Sequence, residues 1–310
     1  MEIKKIAVIG AGLMGNALAQ VFASNSELDV VLRTRTLDEN PYAPIEKNLN
    51  IMIARGVATK KQKEGILSRI CFETDLKIAT ADADFIIECV PEVMEIKQDL
   101  FAEIENYCRP NTILATNTSV MSVTEIAAKC NKKERVVGAH FWNPGHLIPL
   151  VEVVKTKYST IEAIDATMKL MSDCNKKPIL CKKDVPGFVA NRLQHALWRE
   201  AFYMVQEGIA DPKTVYDACK YGPGLRWPVL GPMENSDMVG ISLSHNIHNY
   251  ILKFLADNHE PSPCLKEMLD KGDMGFSSGR GWQSWTPEAM DASRTMLQEY
   301  LIDSLNSNKK

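Results

Sequence analysis

The chain has 310 residues, with 36 Lys and Arg against 39 Asp and Glu for a net charge of -3. At roughly 100–200 residues per domain, this length predicts two domains, each large enough to bury its own core. The charges are interspersed rather than gathered in blocks, which speaks against a nucleic-acid or membrane surface as partner, and no apolar run approaches the ~18 residues of a membrane span.

The first β-branched run, residues 5–9, begins so soon after Met1 and two lysines that no secretory leader fits before it. A soluble, unprocessed, cytosolic chain is the expectation. Eight scattered cysteines, with no C-x-x-C pair and no zinc-finger spacing, read as reduced thiols of such a compartment. The run leads directly into Gly10-x-Gly12-x-x-Gly15, and a helical pattern opens at Leu13 and Met14. Further strand-like runs follow at 29–32, 84–88, 112–115, 135–139, 150–154 and 178–181. Between them, residues 92–108 and 160–174 carry apolar side chains at helical spacing. Alternating strands and helices predict an α/β domain over residues 1–186, a Rossmann-type, doubly wound, mostly parallel sheet. After Asp184-Val185-Pro186-Gly187 the strand runs stop, and residues 188–207, 242–257 and 287–305 read as helices. A smaller all-α domain over 187–310 is therefore predicted, ending in a disordered polar tail at 306–310.

The glycine turn has a physical meaning in that context. After a strand and before a helix, the first glycine permits a tight turn and the second lets backbone approach a pyrophosphate. The third lets helix and strand pack closely, so that the helix N-terminus is free to hold the anion. Gly10, Gly12, Leu13, Met14 and Gly15 are thus the predicted phosphate cradle of a nicotinamide dinucleotide. At the end of the second strand, where a carboxylate ordinarily binds the ribose hydroxyls of NAD, the sequence reads Leu32-Arg33-Thr34-Arg35-Thr36. Two guanidinium groups around a hydroxyl suit a ribose 2′-phosphate, so NADP(H) is the preferred cofactor, with NAD(H) as the alternative. In that alternative Arg33 and Arg35 are solvated and Asp38 or Glu39 reaches the ribose.

Oxidising an alcohol needs a base for the hydroxyl proton while hydride leaves, and a histidine suits that task in either direction. His140 falls at the C-terminal end of a predicted parallel strand, where open α/β sheets gather their ligands. Glu152, in the apolar run 150–154, is an expensive buried charge unless it is partnered, and it lies in the next predicted strand. A carboxylate there can fix the tautomer of the imidazole. Ser119, at another strand end, and Asn191, at the start of the helical domain, can each donate to a reacting oxygen; Ser119 has the simpler rival role of capping the helix near Ser122. His245 and His248 have no carboxylate or thiolate set around them, and no metal is predicted.

The segments Ala115-Thr116-Asn117-Thr118-Ser119, Gly138-Ala139-His140-Phe141-Trp142-Asn143-Pro144, Leu150-Val151-Glu152-Val153 and Pro186-Gly187-Phe188-Val189-Ala190-Asn191-Arg192 resemble, in order and spacing, the 3-hydroxyacyl-CoA dehydrogenases. The resemblance runs from Gly10 to Gly279-Arg280-Gly281-Trp282. It implies a nicotinamide-dependent oxidoreductase of fatty-acid metabolism, of the 3-hydroxybutyryl-CoA type. His140, Glu152, Ser119 and Asn191 become the catalytic set, and Asn117, Ser119, Asn143, Glu92 and Lys97 join the cofactor contacts. Glu92 and Lys97 also read simply as a first-turn acid and a solvated helix-face residue. The resemblance further implies a homodimer built through the helical domain, with the substrate enclosed between the domains.

Ile45-Glu46-Lys47-Asn48-Leu49, Ala54-Arg55-Gly56 and Lys60-Lys61-Gln62-Lys63 resemble the hairpin that touches the CoA nucleotide in that family, which gives Arg55, Lys60 and Lys61 a place at its phosphates. Three features depart from the common pattern: Gly145-His146-Leu147-Ile148-Pro149, Arg226-Trp227-Pro228-Val229-Leu230, and about 25 residues after Trp285. These resemble relatives acting on free hydroxy acids or hydroxymethyl ring carboxylates. His146 or Arg226 would then pair with a carboxylate, unless both are structural. A third reading, a dinucleotide-binding protein without catalysis, sits poorly with the joint presence of Ser119, His140, Glu152 and Asn191.

Overall fold

The computed structural model describes residues 2–307, with side chains to residue 305. Its sheet has eight strands in the order β3-β2-β1-β4-β5-β6-β7-β8: β1 Lys5–Ile9, β2 Asp29–Arg33, β3 Ile70–Glu73, β4 Phe85–Glu88, β5 Ile113–Thr116, β6 Val136–Phe141, β7 Leu150–Val154 and β8 Lys177–Cys181. The chain winds outward from β1 to β3, then returns to β4 on the other side of β1. The crevice where strand order reverses therefore lies at the carboxyl ends of β1 and β4, where such sheets bind ligands. Every pairing is parallel except β6 with β7. Only residues 142–149, with no helix, join those two, and an antiparallel pair needs no crossover.

The helices of this part are α1 Leu13–Ala23, α2 Ala43–Ala54, α3 Lys60–Ser68, α4 Leu76–Ala81, α5 Met94–Glu105, α6 Val123–Ile126 and α7 Ile161–Asp173. They cover both faces of the sheet, and alternation along the strands feeds two cores. Phe85 and Ile87 join Leu18, Phe22 and Phe141 on one side, while Ile86 joins Phe101, Ile104 and Ile126 on the other. The sequence reading lacked β3. This strand has four residues at the sheet edge, and its exposed Cys71 and half-buried Glu73 blur the apolar signal that marks the inner strands.

The remaining helices are α8 Ala190–Gln206, α9 Pro212–Tyr221, α10 Pro223–Arg226, α11 Pro232–Val239, α12 Ile241–Ile251, α13 Pro263–Asp270 and α14 Pro287–Ser307. The chain divides into two compact units, one from the N-terminus to Asn191 plus Leu297 onward, the other from Arg192 to Met296. The end of α14 thus belongs with the sheet. Residues 306 and 307 of the polar tail close this helix, and 308–310 lie outside the described residues. Among the described residues no helix is long and apolar enough to cross a membrane.

Candidate active site

The glycine turn has the conformation its sequence requires. Gly10 has φ +110°, and a Cβ there would stand 2.9 Å from the carbonyl oxygen of Cys89, at the end of β4. A Cβ on Gly15 would fall on the Gly10 carbonyl, so α1 can pack this closely on β1 only with glycine. At Gly12 nothing stands within 4 Å of such an atom, and Leu13 is exposed. The first turn of α1 has no side-chain cap. The Asn16 amide donates to the carbonyls of Ala11 and Gly12 at 2.7 and 3.0 Å, holding the turn's oxygens inward. Uncapped amides, open space and a positive helix end suit a pyrophosphate.

At the end of β2, Arg33 donates from Nε to the Thr74 carbonyl at 3.3 Å, and the Thr34 hydroxyl donates to the Thr36 carbonyl at 2.8 Å. Arg35 is exposed, as are Asp38 and Glu39. This corner therefore offers the guanidinium end of Arg33 and the whole of Arg35, and no carboxylate before Asp38.

His140 and Glu152 face one another because β6 and β7 run antiparallel in the register that pairs 140 with 152. A Cβ on Gly138 would lie 2.7 Å from the Cβ of its partner Val154, so the glycine lets these two strands approach beside the pair. His140 Nδ1 lies 2.9 Å from Glu152 Oε2, and both side chains are buried. Trp142 Nε1 donates to the same oxygen at 3.2 Å. The backbone N–H groups of Val189 and Ala190 donate to Oε1, each at 2.9 Å. Burial alone lifts the Glu152 pKa, but the bonds from His140, Ala190, Val189 and Trp142 outweigh it and hold the carboxyl down at about 2. With the carboxylate ionised, Nδ1 carries the ring proton. Nε2 is then the ring nitrogen with a lone pair, able to accept a proton.

The Val189 and Ala190 amides reach the carboxylate through the turn Val185-Pro186-Gly187-Phe188. Gly187 and Phe188 both have positive φ, +75° and +49°. Such a conformation is costly for phenylalanine, and burial of its ring 5.8 Å from the His140 ring holds it in place.

Ser119, beyond β5, is exposed, and its hydroxyl has no partner among the described residues. Its backbone is pinned on both sides. The N–H donates to Glu92 Oε1 at 3.0 Å, and the carbonyl accepts from Asn191 Nδ2 at 2.9 Å. Asn191, at the first turn of α8, is thereby brought to the strand ends. Ser122, not Ser119, caps α6.

The structure gives several other predicted residues internal partners. Asn117 Oδ1 accepts the Phe141 N–H at 2.8 Å, tying β5 to β6. Lys97 is buried, with its ammonium on Glu88 at 2.7 Å, on Glu92 at 3.1 Å and on the Val90 carbonyl at 3.3 Å. Glu92 also binds the Thr118 hydroxyl. Asn143 is exposed and precedes Pro144 through a cis peptide bond. In the following loop both ring nitrogens of His146 are buried without a partner, and burial, then the neighbouring Lys176 ammonium, push its pKa down to about 4. Lys176 bolts this loop by donating to the carbonyls of Gly145 and Ile148 at 2.6 and 3.0 Å. Arg55 is paired with Glu299, whereas Lys60 and Lys61 are exposed without an ion pair among the described residues. Arg226 is exposed on α10, in the other unit.

Sequence reasoning missed Trp142 and the paired amides of residues 189 and 190. Trp142 lies two residues beyond His140, on the same side of the chain, a signal that was available. The amides carry no side-chain signature at all.

A family model described as "3-hydroxyacyl-CoA dehydrogenase, NAD binding domain" matches residues 5–185, and its C-terminal-domain counterpart matches 187–285. The chain belongs to the 3-hydroxyacyl-CoA dehydrogenase family. Among relatives of this family, a probable 3-hydroxybutyryl-CoA dehydrogenase of Bacillus subtilis is 34% identical over 292 residues, 92% of this chain and 98% of that protein. The 5-formyl-3-hydroxy-2-methylpyridine 4-carboxylate 5-dehydrogenase of Mesorhizobium japonicum is 32% identical over 307 residues, 97% of this chain and 96% of its own. A solved structure of a dehydrogenase with that activity, described as an NAD+-dependent dismutase, superposes with TM-score 0.90 at 30% identity over 98% of this chain and 97% of that one. The (S)-3-hydroxybutyryl-CoA dehydrogenase of Ralstonia eutropha superposes at 0.77 with 29% identity, covering 92% of this chain and all of that one. Membership makes this chain an oxidoreductase acting on CH–OH groups, with an NAD-binding domain. His140, Glu152, Ser119 and Asn191 form one constellation at the sheet's carboxyl edge.

Proposed function

We propose that this protein interconverts a hydroxyl-bearing carbon and its carbonyl, with His140 as general acid and base. The observation that carries the proposal is the buried His140–Glu152 pair, with its carboxylate also bonded by Trp142 and the amides of Val189 and Ala190. A bound nicotinamide dinucleotide supplies the hydride acceptor or donor. The protein's own part is to move one proton at Nε2. Glu152 steadies the imidazolium formed when the alcohol proton is taken, and returning that proton serves the reverse direction. The Ser119 hydroxyl and the Asn191 amide, which is held near it by donating to the Ser119 backbone carbonyl, orient the reacting oxygen. Glu92, Lys97 and Asn117 contribute by fixing the strand-end loops from which Ser119 projects.

For the substrate, a short 3-hydroxyacyl-CoA, of the 3-hydroxybutyryl-CoA type, is supported by the names of many relatives. A second reading, a hydroxy acid or hydroxymethyl ring carboxylate without CoA, is favoured by the closer superposition on the pyridine carboxylate dehydrogenase, 0.90 against 0.77. A panel of acetoacetyl-CoA and free oxo and hydroxy acids, assayed with each reduced or oxidised cofactor, separates the two. Failure of every substrate with a protein that binds dinucleotide would overturn catalysis itself.

NADP(H) remains our reading of cofactor preference, since the chain after β2 presents two guanidinium groups and no carboxylate before Asp38. The double replacement Arg33→Ala, Arg35→Ala should raise the KM for NADPH by roughly 10- to 100-fold and leave that for NADH within about threefold. An equal change for both would return the preference to NAD(H). Exposed Leu193, Leu197, Trp198, Val229 and Met233 on the helical unit support a homodimer in which a second copy covers them. All eight cysteines are unpaired thiols, which suits a reducing, cytoplasmic setting.

A further inference from the structure

Glu88 and Thr116 end neighbouring strands and stand side by side in the parallel pairing of β4 with β5. Both are fully buried, and Lys97 and Thr118 are nearly so. A buried carboxylate must be matched by donors. Glu88 has the Val90 N–H and the Lys97 ammonium on Oε1 and the Thr116 hydroxyl on Oε2, each at 2.7 Å. The Thr116 hydroxyl has one proton to give, and Glu88 takes it, which leaves the oxygen's lone pairs to accept the Thr118 N–H at 3.1 Å. Thr118 in turn donates its hydroxyl to Glu92 Oε1, and the other oxygen of Glu92 meets the Lys97 ammonium at 3.1 Å. Glu88, Lys97, Glu92, Thr118 and Thr116 thus close a ring in which every link is a hydrogen bond or an ion pair. Ser119 hangs from this ring, since its N–H donates to the same Glu92 oxygen at 3.0 Å. Its own hydroxyl has no partner among the described residues, so where that hydroxyl can reach is set by the backbone the ring holds.

We propose that Thr116 is a positioning residue for the reaction: its hydroxyl joins the buried Glu88 carboxylate to the chain at Thr118 and thereby aims the Ser119 hydroxyl at the reacting oxygen. The inference rests on the dehydrogenase assignment and deepens its account of Ser119. Thr116 is the link through which the Glu88–Lys97 pair reaches β5 and the residues that follow it. Without the hydroxyl, Glu88 Oε2 and the Thr118 N–H both lose a partner in a place closed to water, and the chain from 116 to 119 must shift to find others. A shift of about 1 Å at a group that orients a substrate is enough to cost up to ~10²-fold in rate.

The test is a double-mutant cycle on the full-length protein, with kcat read at saturating cofactor and saturating levels of the best substrate from the panel above. Thr116→Val keeps the shape and removes the hydroxyl, while Ser119→Ala removes the group that it serves. We expect Ser119→Ala to lower kcat by roughly 10²-fold, as for the loss of one donor to a reacting oxygen, and Thr116→Val to lower it by about tenfold. In the Ser119→Ala background, Thr116→Val should then cost less than about twofold, because nothing is left for it to aim. Thr116→Ser, which keeps the hydroxyl, should stay within about threefold of the parent. Should Thr116→Val not fold, Thr118→Val, which opens the ring at its other hydroxyl, takes its place in the cycle. An equal fractional loss in both backgrounds would mean that Thr116 serves the fold and not Ser119; that result, or an undiminished kcat in Thr116→Val, overturns the proposal alone. A parent that binds dinucleotide but turns over no substrate strikes the dehydrogenase assignment, and the proposal with it.

Discussion

Replacing His140 by alanine should lower kcat by roughly 10²- to 10⁴-fold, the span ascribed to a positioned general acid or base, while the dissociation constant of the cofactor stays within about threefold. The separation follows from placement. The imidazole stands at the end of β6, and the phosphate cradle belongs to the turn after β1, so truncating one leaves the other's glycines and amides untouched. The variant should also fold, because Glu152 keeps its other donors, among them Trp142 Nε1 and the amides of Val189 and Ala190. Fluorescence titration with reduced cofactor and single-turnover kinetics on the same preparation read the two quantities. Turnover that survives the substitution, or binding that disappears with it, would exclude the imidazole as the group that carries the proton.

Glu152→Gln should cost nearly as much, about 10³- to 10⁴-fold in kcat, for a different reason. The amide can still accept the Val189 and Ala190 N–H groups at one end, but its NH2 then faces His140 Nδ1. Two donors cannot share that contact, so the ring proton moves to Nε2 and the atom that should take the substrate proton is blocked. The variant has a second signature in stability. The folded carboxyl titrates at about 2, below its ordinary value near 4.5, so its ionised form stabilises the fold above that ordinary value. This contribution is lost as pH falls through 4.5 toward 2. The stability gap between parent and variant, read from urea midpoints, should therefore be widest near neutrality and narrow on acidification. A gap independent of pH would mean that the carboxylate is not ionised in the fold.

Different levels of structure made different parts of this protein legible. The glycine turn could be read in full, because a strand, three glycines and a helix leave the backbone only one way to pass, and φ at Gly10 and the contact at Gly15 follow. Inner strands could be read from continuous apolar runs, whereas edge strand β3 could not, since a half-exposed strand has no such run. Lys97 shows the opposite failure. Its helical spacing and charge look like a solvated face, yet its ammonium is buried against Glu88 and Glu92, and the helical period gives no sign that the loop before α5 folds back to bring these carboxylates onto it.

What the sequence determined by itself is which chemical groups exist and where along each strand they sit: an imidazole at one strand end, a carboxylate in a run too apolar to tolerate it alone, and a pair of arginines where a ribose acid would stand. These follow from period, burial cost and the sterics of glycine, all of which act over a few residues. Tertiary structure alone decided that β6 and β7 pair antiparallel with 140 opposite 152, that the turn at Gly187 and Phe188 aims two amides at that carboxylate, and that Glu299 comes back to Arg55. Each of these joins groups far apart in the chain, and such contacts are fixed by the packing of whole elements, which no local preference encodes.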